Sequence, residues 1–458
     1  MQPFKLFKKI AEGKSDFKSI LIRIKNRDFS GNTGQAIRNS VFQFLTQITQ
    51  RVGSLILTII LARMLMPELF GLYNLALSTI MVFVTFSELG VGTTLITFVS
   101  KSLGKKNKKL ARSYFIYLGK IKFFLVFLST MILLLSARFI ANNYYQKPIF
   151  LALIAGSLYI LFSGFVNFFQ SSLQSFNYFK GIFNNEIVFE ISRIILIPLA
   201  AILTLKYSLS NENILFYIFI AFGVSYLISS LFILFFPYRK INPLPNQKKN
   251  LGSVEKKQIN KFFLAASTLT LSGIFFGYID KIMLGHFVAA EFIGYYSAAF
   301  SLVGALSTVI GFGIVLLPIF SRINSEQLER GMNKSIKVTL IISALAFLAV
   351  LALAYPIIFI VYGSAYNYSI NMLRAFSISL LIFPLMGVYT VYFMSKGKLQ
   401  ILAVLLFIST LINLGLTYFL ITYLLRFGEL TATYGAIIAV IVSNLFYLLG
   451  MMIWRKRK

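Results

Sequence analysis

The sequence predicts an all-α integral membrane protein, with about twelve transmembrane helices in two six-helix lobes and both termini cytoplasmic. Three observations carry this reading. Of 458 residues, 58% are hydrophobic and 13% charged, with a mean hydropathy of +0.80, whereas a soluble domain carries about a quarter charged residues. The apolar residues fall in runs long enough to cross a bilayer. The 44 Lys and Arg, set against 14 Asp and Glu, concentrate in alternate loops.

A spanning helix needs about 20 mainly apolar residues. That ruler places spans at 43–65, 73–98, 115–137, 149–175, 184–205 and 214–237, then at 262–285, 292–319, 337–361, 370–394, 401–424 and 433–454. These runs are too long and too uniformly apolar for the strands of a membrane barrel. Residues 1–40 form a basic arm without the clean apolar core of a signal peptide. Phe4, Leu6, Phe7 and Ile10 among Lys5, Lys8 and Lys9 suit a helix on an anionic membrane surface or a disordered tail equally. The longest polar break, 238–261, holds Pro243, Pro245 and clustered Lys, and divides a lobe at 41–237 from one at 262–454. Residues 455–458 are a basic tail.

With both termini inside, 33 Lys and Arg lie on the cytoplasmic side and five outside, namely Arg63, Arg138, Lys147, Lys206 and Arg426. Positive charge retained inside sets orientation, so the net +30 reflects topology and attraction to anionic lipids and requires no nucleic acid. The composition also narrows the chemistry. Zero Cys and one His leave no disulfides, no zinc-thiolate site and little material for a catalytic triad. Gly104-Lys105 and Gly397-Lys398 lack the upstream glycine of a phosphate-binding loop, and the outer loops are too short to build a catalytic domain. Neither a metal nor an organic cofactor is expected. A transporter of this kind runs passively or on an ion gradient, proton or sodium.

Six spans per half is an even number, so a duplicated half would enter the membrane in the same orientation, as a parallel repeat. The pattern E-x-x-G-x-Y-x-x-A-x-S occurs at Glu68–Ser78 and again at Glu291–Ser301, at an offset of 223. Its Gly permits a tight turn and its Tyr suits the membrane interface. The pattern is structural.

The run ILARMLMPELFGLY at 60–73, followed by ELGVG at 88–92, resembles the opening of bacterial polysaccharide-export flippases. These belong to the multidrug/oligosaccharidyl-lipid/polysaccharide flippase superfamily. Asp280, Gly285, Gly294 with Tyr296, Pro318 with Ser321-Arg322, and Tyr434-Gly435-Ala436 continue the likeness. The resemblance, from about residue 38 to 454, implies two lobes around a cavity that opens to alternate membrane faces. Its implied cargo is a polyprenyl-pyrophosphate-linked oligosaccharide, moved from the inner to the outer leaflet of the bacterial cytoplasmic membrane. Implied partners are a polysaccharide polymerase and chain-length machinery, in the making of O-antigen, capsule or exopolysaccharide.

Charges inside spans are costly and mark candidate sites. Arg51 shares a helix face with Gln43, Gln47, Gln50, Ser54 and Thr58, a stripe expected to line a wet cavity. Its guanidinium suits a pyrophosphate or acidic sugar; a helix-packing role beside a carboxylate is the bland alternative. Glu186, Glu190 and Arg193 share one face, where Glu190 and Arg193 can pair internally or Arg193 can meet an anionic headgroup. Glu88 is open between an ion-coupling role and partnering Arg51. Asp280, by its motif position, and Glu190 are further coupling or gating candidates. Lys281 is expected to snorkel to the outer interface, and His286 to sit in an outer loop. Pro198, Pro318, Pro356 and Pro384 can kink their spans, but none singles out a hinge.

Three functions fit the chain: a lipid-linked oligosaccharide flippase, a cation-coupled drug antiporter, and a membrane-bound polysaccharide polymerase. Arg51 and Arg193 among the deep charges favour the first over the second, and the short outer loops disfavour the third.

Overall fold

The computed structural model describes residues 31–240, 251–311, 320 and 325–456, and every regular element among them is helical. The 58-residue run Gly31–Glu88 is two helices, α1 (31–65) and α2 (67–88), joined at Met66, where φ is 59° and ψ 169°. The cause is the next residue. A proline ring clashes with a helical residue before it and suits the first position of a new helix. Leu89 and Gly90, both of positive φ, separate α2 from α3 (Val91–Gly104). Then come α4 (Lys108–Arg138) with a π turn at Phe139–Tyr145, α5 (Phe150–Ser175), α6 (Phe179–Lys206) and α7 (Asn211–Phe235). The second half holds α8 (Ser253–Phe287), α9 (Ala290–Ile310), α10 (Ser325–Val361), α11 (Tyr368–Phe376), α12 (Ser379–Ser395), α13 (Leu399–Leu424) and α14 (Glu429–Lys456).

Among the described residues nine helices are long and apolar enough to cross a membrane, and eleven when each of two bent pairs counts as one span. One of the nine, Arg38–Gly104, has 67 residues and would run about 100 Å if straight, some three times the bilayer's hydrocarbon core. It doubles back at Met66: Arg51 and Glu88, on either side of that break, line cavities that share Asn167 and Gln170. The stretch therefore passes twice. The expected tenth span is broken between α11 and α12 by 42°. There Leu380 and Leu381 bond to carbonyls three residues back, at Ser377 and Ile378, a tighter winding than an α-helix. Pro198, Pro356 and Pro384 all lie inside helices, away from the breaks.

Pro318, Ser321-Arg322 and the arm through residue 30 lie outside the described residues. The linker expected to reach residue 261 ends earlier, because α8 begins at Ser253, with the Gly252 N–H donating to Glu255 at 2.8 Å. That early start lets Ile259, fully buried, pack with Val91, Leu95, Tyr114 and Leu118 of the first half. Exposed apolar stripes such as Ile341, Leu345 and Leu348 on α10 follow helical spacing and face outward, where lipid is as apolar as leucine.

A buried core crosses the halves from α1 and α2 to α8 and α9, and the repeat motifs meet in it. At the offset of 223, Pro67 corresponds to Ala290 and Gly71 to Gly294. A Cβ on Gly71 would stand 1.8 Å from the Ala290 oxygen, and a Cβ on Gly294 would stand 2.0 Å from the Pro67 oxygen. The contact is exchanged, as at an isologous two-fold interface. Polar contacts repeat the exchange. Arg63 donates to the carbonyls of Val361, at 2.7 Å, and Ile360, at the end of α10. Its counterpart His286 meets the Tyr144 carbonyl at 2.6 Å and stacks on that ring. The Tyr366 hydroxyl donates to Ala62 at 2.8 Å, and Lys147 donates to Gly285, the counterpart of Ala62, at 2.7 Å. All of these lie at the face opposite the linker, which they hold shut.

Replacing either exchanged glycine tests the contact. Gly71→Ala and Gly294→Ala each drive a methyl into a carbonyl that cannot rotate away, and overpacking costs about 1–3 kcal/mol. Thermal unfolding of the detergent-solubilised protein should show both destabilised to a similar extent. Gly387→Ala, with nothing within 4 Å of its Cβ, should be neutral. A wild-type melting temperature for Gly71→Ala would refute the close approach.

Candidate functional site

The charged stripe of α1 meets α5, α6 and α7 around a cavity of about 240 Å³, lined in part by Gln50, Arg51, Ser54, Gln170, Glu186 and Arg193. Gly53 lets α1 come this close, because a Cβ there would stand 2.0 Å from the Glu190 carboxylate. Glu186 lies seven residues from the start of α6, about 10 Å along the helix, so the cavity occupies the linker side of the membrane.

Within it the charges are unequal. Arg193 donates to Glu190 through Nε and Nη2, both at 2.7 Å, and lies over the Phe189 ring. This planar two-point pairing satisfies both charges. The pair is the internal salt bridge that the i, i+3 spacing allowed, and it occupies both oxygens of Glu190. Arg51 is exposed to the cavity and has no ion pair or hydrogen bond among the described residues. All the residues that line this cavity belong to the first half, and Tyr278 of α8 is close enough to feel the Arg51 charge. Glu186 is buried and faces Gln50 and Gln170. Gln47 is half-buried on the same helix and is not among the residues that line this cavity.

Glu88 does not partner Arg51. Lys122 of α4, 1% exposed, pairs with it at 2.5 Å, and Asn167 donates to the same oxygen at 2.9 Å. Lys122 also donates to the Ser87 carbonyl at 3.0 Å, so the ammonium is almost fully engaged. Glu88 keeps an exposed edge on a second cavity of about 350 Å³, which shares Asn167 and Gln170 with the first. The two form one polar region, as deep as the inner ends of α2 and α6.

Asp280 is buried away from both cavities and accepts a hydrogen bond from Tyr296, the motif tyrosine of the second half. Its other oxygen has no partner among the described residues. Lys281 does not snorkel. The helix continues to Phe287, and the buried ammonium lies near the rings of Tyr278 and Phe300, at 5.7 and 5.3 Å. His286 is exposed, as expected of an outer-loop residue, though still helical.

Sequence reading missed Lys122, Asn167, Gln170 and Tyr226. Lys122 carried the only available signal, a cation inside a span, but its partner lies 34 residues away on another helix. Among the described residues no group of His, Cys, Asp and Glu converges as a metal site would.

The Glu88–Lys122 pair predicts a strong non-additivity. Lys122→Met strands a carboxylate, and breaking a buried pair costs about 3–5 kcal/mol. In a thermal-unfolding double-mutant cycle, Glu88→Gln combined with Lys122→Met should regain a large part of that loss. Purely additive losses would mean the two groups do not interact.

Solved structures similar in fold include the following three. The lipid II flippase MurJ in an inward closed conformation has a TM-score of 0.67 and 17% identity, covering 89% of this chain and 87% of that one. A multidrug resistance MATE family transporter of the MOP superfamily, inward-facing, has a TM-score of 0.66 and 16% identity, covering 89% and 96%. An outward-facing structure of such a transporter has a TM-score of 0.58 and 16% identity, covering 94% and 96%. No curated protein matches the chain in sequence. The family model described as polysaccharide biosynthesis protein matches residues 36–324. That is more than half of the chain, and this multi-pass membrane protein belongs to that family.

Proposed function

We propose that this protein flips a polyprenyl-pyrophosphate-linked oligosaccharide from the inner to the outer leaflet by alternating access. The observation that carries the reading is Arg51, a guanidinium with no ion pair among the described residues, in a polar cavity on the linker side of the membrane. A guanidinium presents a fork of N–H donors matched to a pyrophosphate or an acidic sugar. Membership of a polysaccharide biosynthesis family supports a glycan cargo.

The roles divide by what each group already holds. Arg51 takes the anionic headgroup, with Gln50 and Gln170 available to sugar hydroxyls. Arg193 positions Glu190 and shapes the wall. Glu88, salt-bridged yet open to the second cavity, and buried Asp280 are the candidates for coupling to protons or sodium. The polymerase and chain-length proteins would receive the cargo at the outer face.

The test is transbilayer movement in proteoliposomes, with a fluorescent polyprenyl-pyrophosphate oligosaccharide and a cationic dye in parallel. Arg51→Ala should lower lipid movement by at least tenfold without changing the melting temperature, and Arg51→Lys should recover only part. Gradient-driven movement of the dye with the lipid inert would overturn the flippase and leave the antiporter.

A further inference from the structure

The face of α4 turned away from the polar cavities carries Arg112, Ile116, Gly119, Lys120 and Phe123, spaced as one helical stripe. Ile116, Gly119, Lys120 and Phe123 of that stripe form a groove of about 500 Å³ with Phe168 and Phe169 of α5 and with Leu234 and Tyr238 at and just past the end of α7, and Arg112 lies one turn before Ile116. The groove's walls are aromatic. Phe168 packs with Phe115, Phe123 and Phe169 at ring distances of 5.1, 5.4 and 5.6 Å, and Phe169 meets Tyr238 at 5.1 Å. Gly119 opens its floor, since a Cβ there would stand 3.1 Å from Phe168.

One end of the groove is cationic. Lys120 lines it and is exposed, and Arg239 follows Tyr238 in the chain. Arg112, near enough to the Tyr238 hydroxyl to act on it, has a buried Nε with no hydrogen-bond partner among the described residues. No carboxylate lines the groove. Its position, between the start of α4 and the end of α7, is the leaflet on the linker side, the cytoplasmic one by the distribution of Lys and Arg.

We infer that this groove binds an anionic phospholipid of the cytoplasmic leaflet, with its phosphate on Arg112, Lys120 and the Tyr238 hydroxyl and an acyl chain along the phenylalanines. Within a bilayer any lipid tail can fill an apolar groove at little gain. Selectivity therefore resides in the headgroup, and each cation near the surface adds about fivefold in affinity.

Quenching by brominated lipids reads this directly. The chain has one tryptophan, so Trp454→Phe with Phe115→Trp places the reporter at the groove. In phosphatidylcholine vesicles, brominated phosphatidylglycerol should occupy the site at least fivefold more tightly than brominated phosphatidylcholine. Arg112→Gln should bring that ratio towards one, and so should Lys120→Gln, which alters an exposed side chain and keeps the test valid if Arg112→Gln fails to fold. Equal quenching by the two lipids would overturn the proposal, as would a preference that survives both substitutions. Excess inorganic phosphate should leave quenching unchanged, since displacement by it would indicate a free-anion site. Preferential displacement by a polyprenyl phosphate would assign the groove to an isoprenoid tail and equally overturn the phospholipid.

Discussion

The exchanged contact of Gly71 on the Ala290 carbonyl and Gly294 on the Pro67 carbonyl fixes the rest of the architecture. It is backbone against backbone, so no rotamer can relax it, and it sets how closely α2 and α9 approach. Those helices in turn position their own neighbours: Tyr73 stacks near Phe219 of α7, and Tyr296 holds Asp280 of α8. The contact lies at the face opposite the linker, beside Arg63 and His286 on their carbonyl acceptors. Each such hydrogen bond contributes about 1 kcal/mol net. A handful of them closes the face while remaining within reach of a ligand's binding energy.

In the first half, the charges inside the membrane around the two cavities are held by partnership or by wet surface. Lys122 would be prohibitive alone in hydrocarbon, yet it bonds to Glu88 and the Ser87 carbonyl, and Asn167 in turn donates to Glu88. Glu190 and Arg193 neutralise each other three residues apart. What is left over, Arg51 and Glu186, borders the cavity. The arrangement thus concentrates unspent charge where cargo could reach it.

The apolar runs and the duplicated motif were legible in the sequence because each is local or repeats locally, but the turn credited to the motif glycine is made at Met66, and Gly71 sits inside α2 against the Ala290 carbonyl. Arg51 was legible for a related reason: an arginine among glutamines on one helix face has only a cavity to look into. Its neighbour Gln47 was credited by the same spacing but lies about a turn too far towards the helix start. The pairing of Glu88 was not legible, since α1 and α4 both offered a cation and only packing decides between them. Lys281 was misread because the span end was placed at 285, whereas the helix carries it deeper into the interior. The bend at Ser377 follows from backbone bonding that no residue type announces.

The duplicated scaffold has kept its packing and lost its symmetry of charge. Asn185 on α6 bonds to Ser229 on α7 at 2.9 Å, and Asn413 on α13 bonds to Ser443 on α14 at 2.8 Å, so the same rivet recurs in each half. Yet α6 carries Glu186, Glu190 and Arg193 where α13 carries no charged residue at all. Among the described residues every ion pair is internal to one half: Glu88 with Lys122 and Glu190 with Arg193 in the first, Glu326 with Arg330 and Glu329 with Lys396 and Arg455 in the second. The contacts that do cross pair no two charges: those from Arg63, Lys147, Tyr366 and Ser267 end on backbone carbonyls, and Tyr117 donates to the Asn260 amide oxygen. Tearing a buried ion pair costs about 3–5 kcal/mol, whereas a hydrogen bond to a carbonyl at a wet face exchanges for water at small cost. Two halves built this way can rock against each other without stranding a charge, and the charged cavity travels intact with the half that owns it.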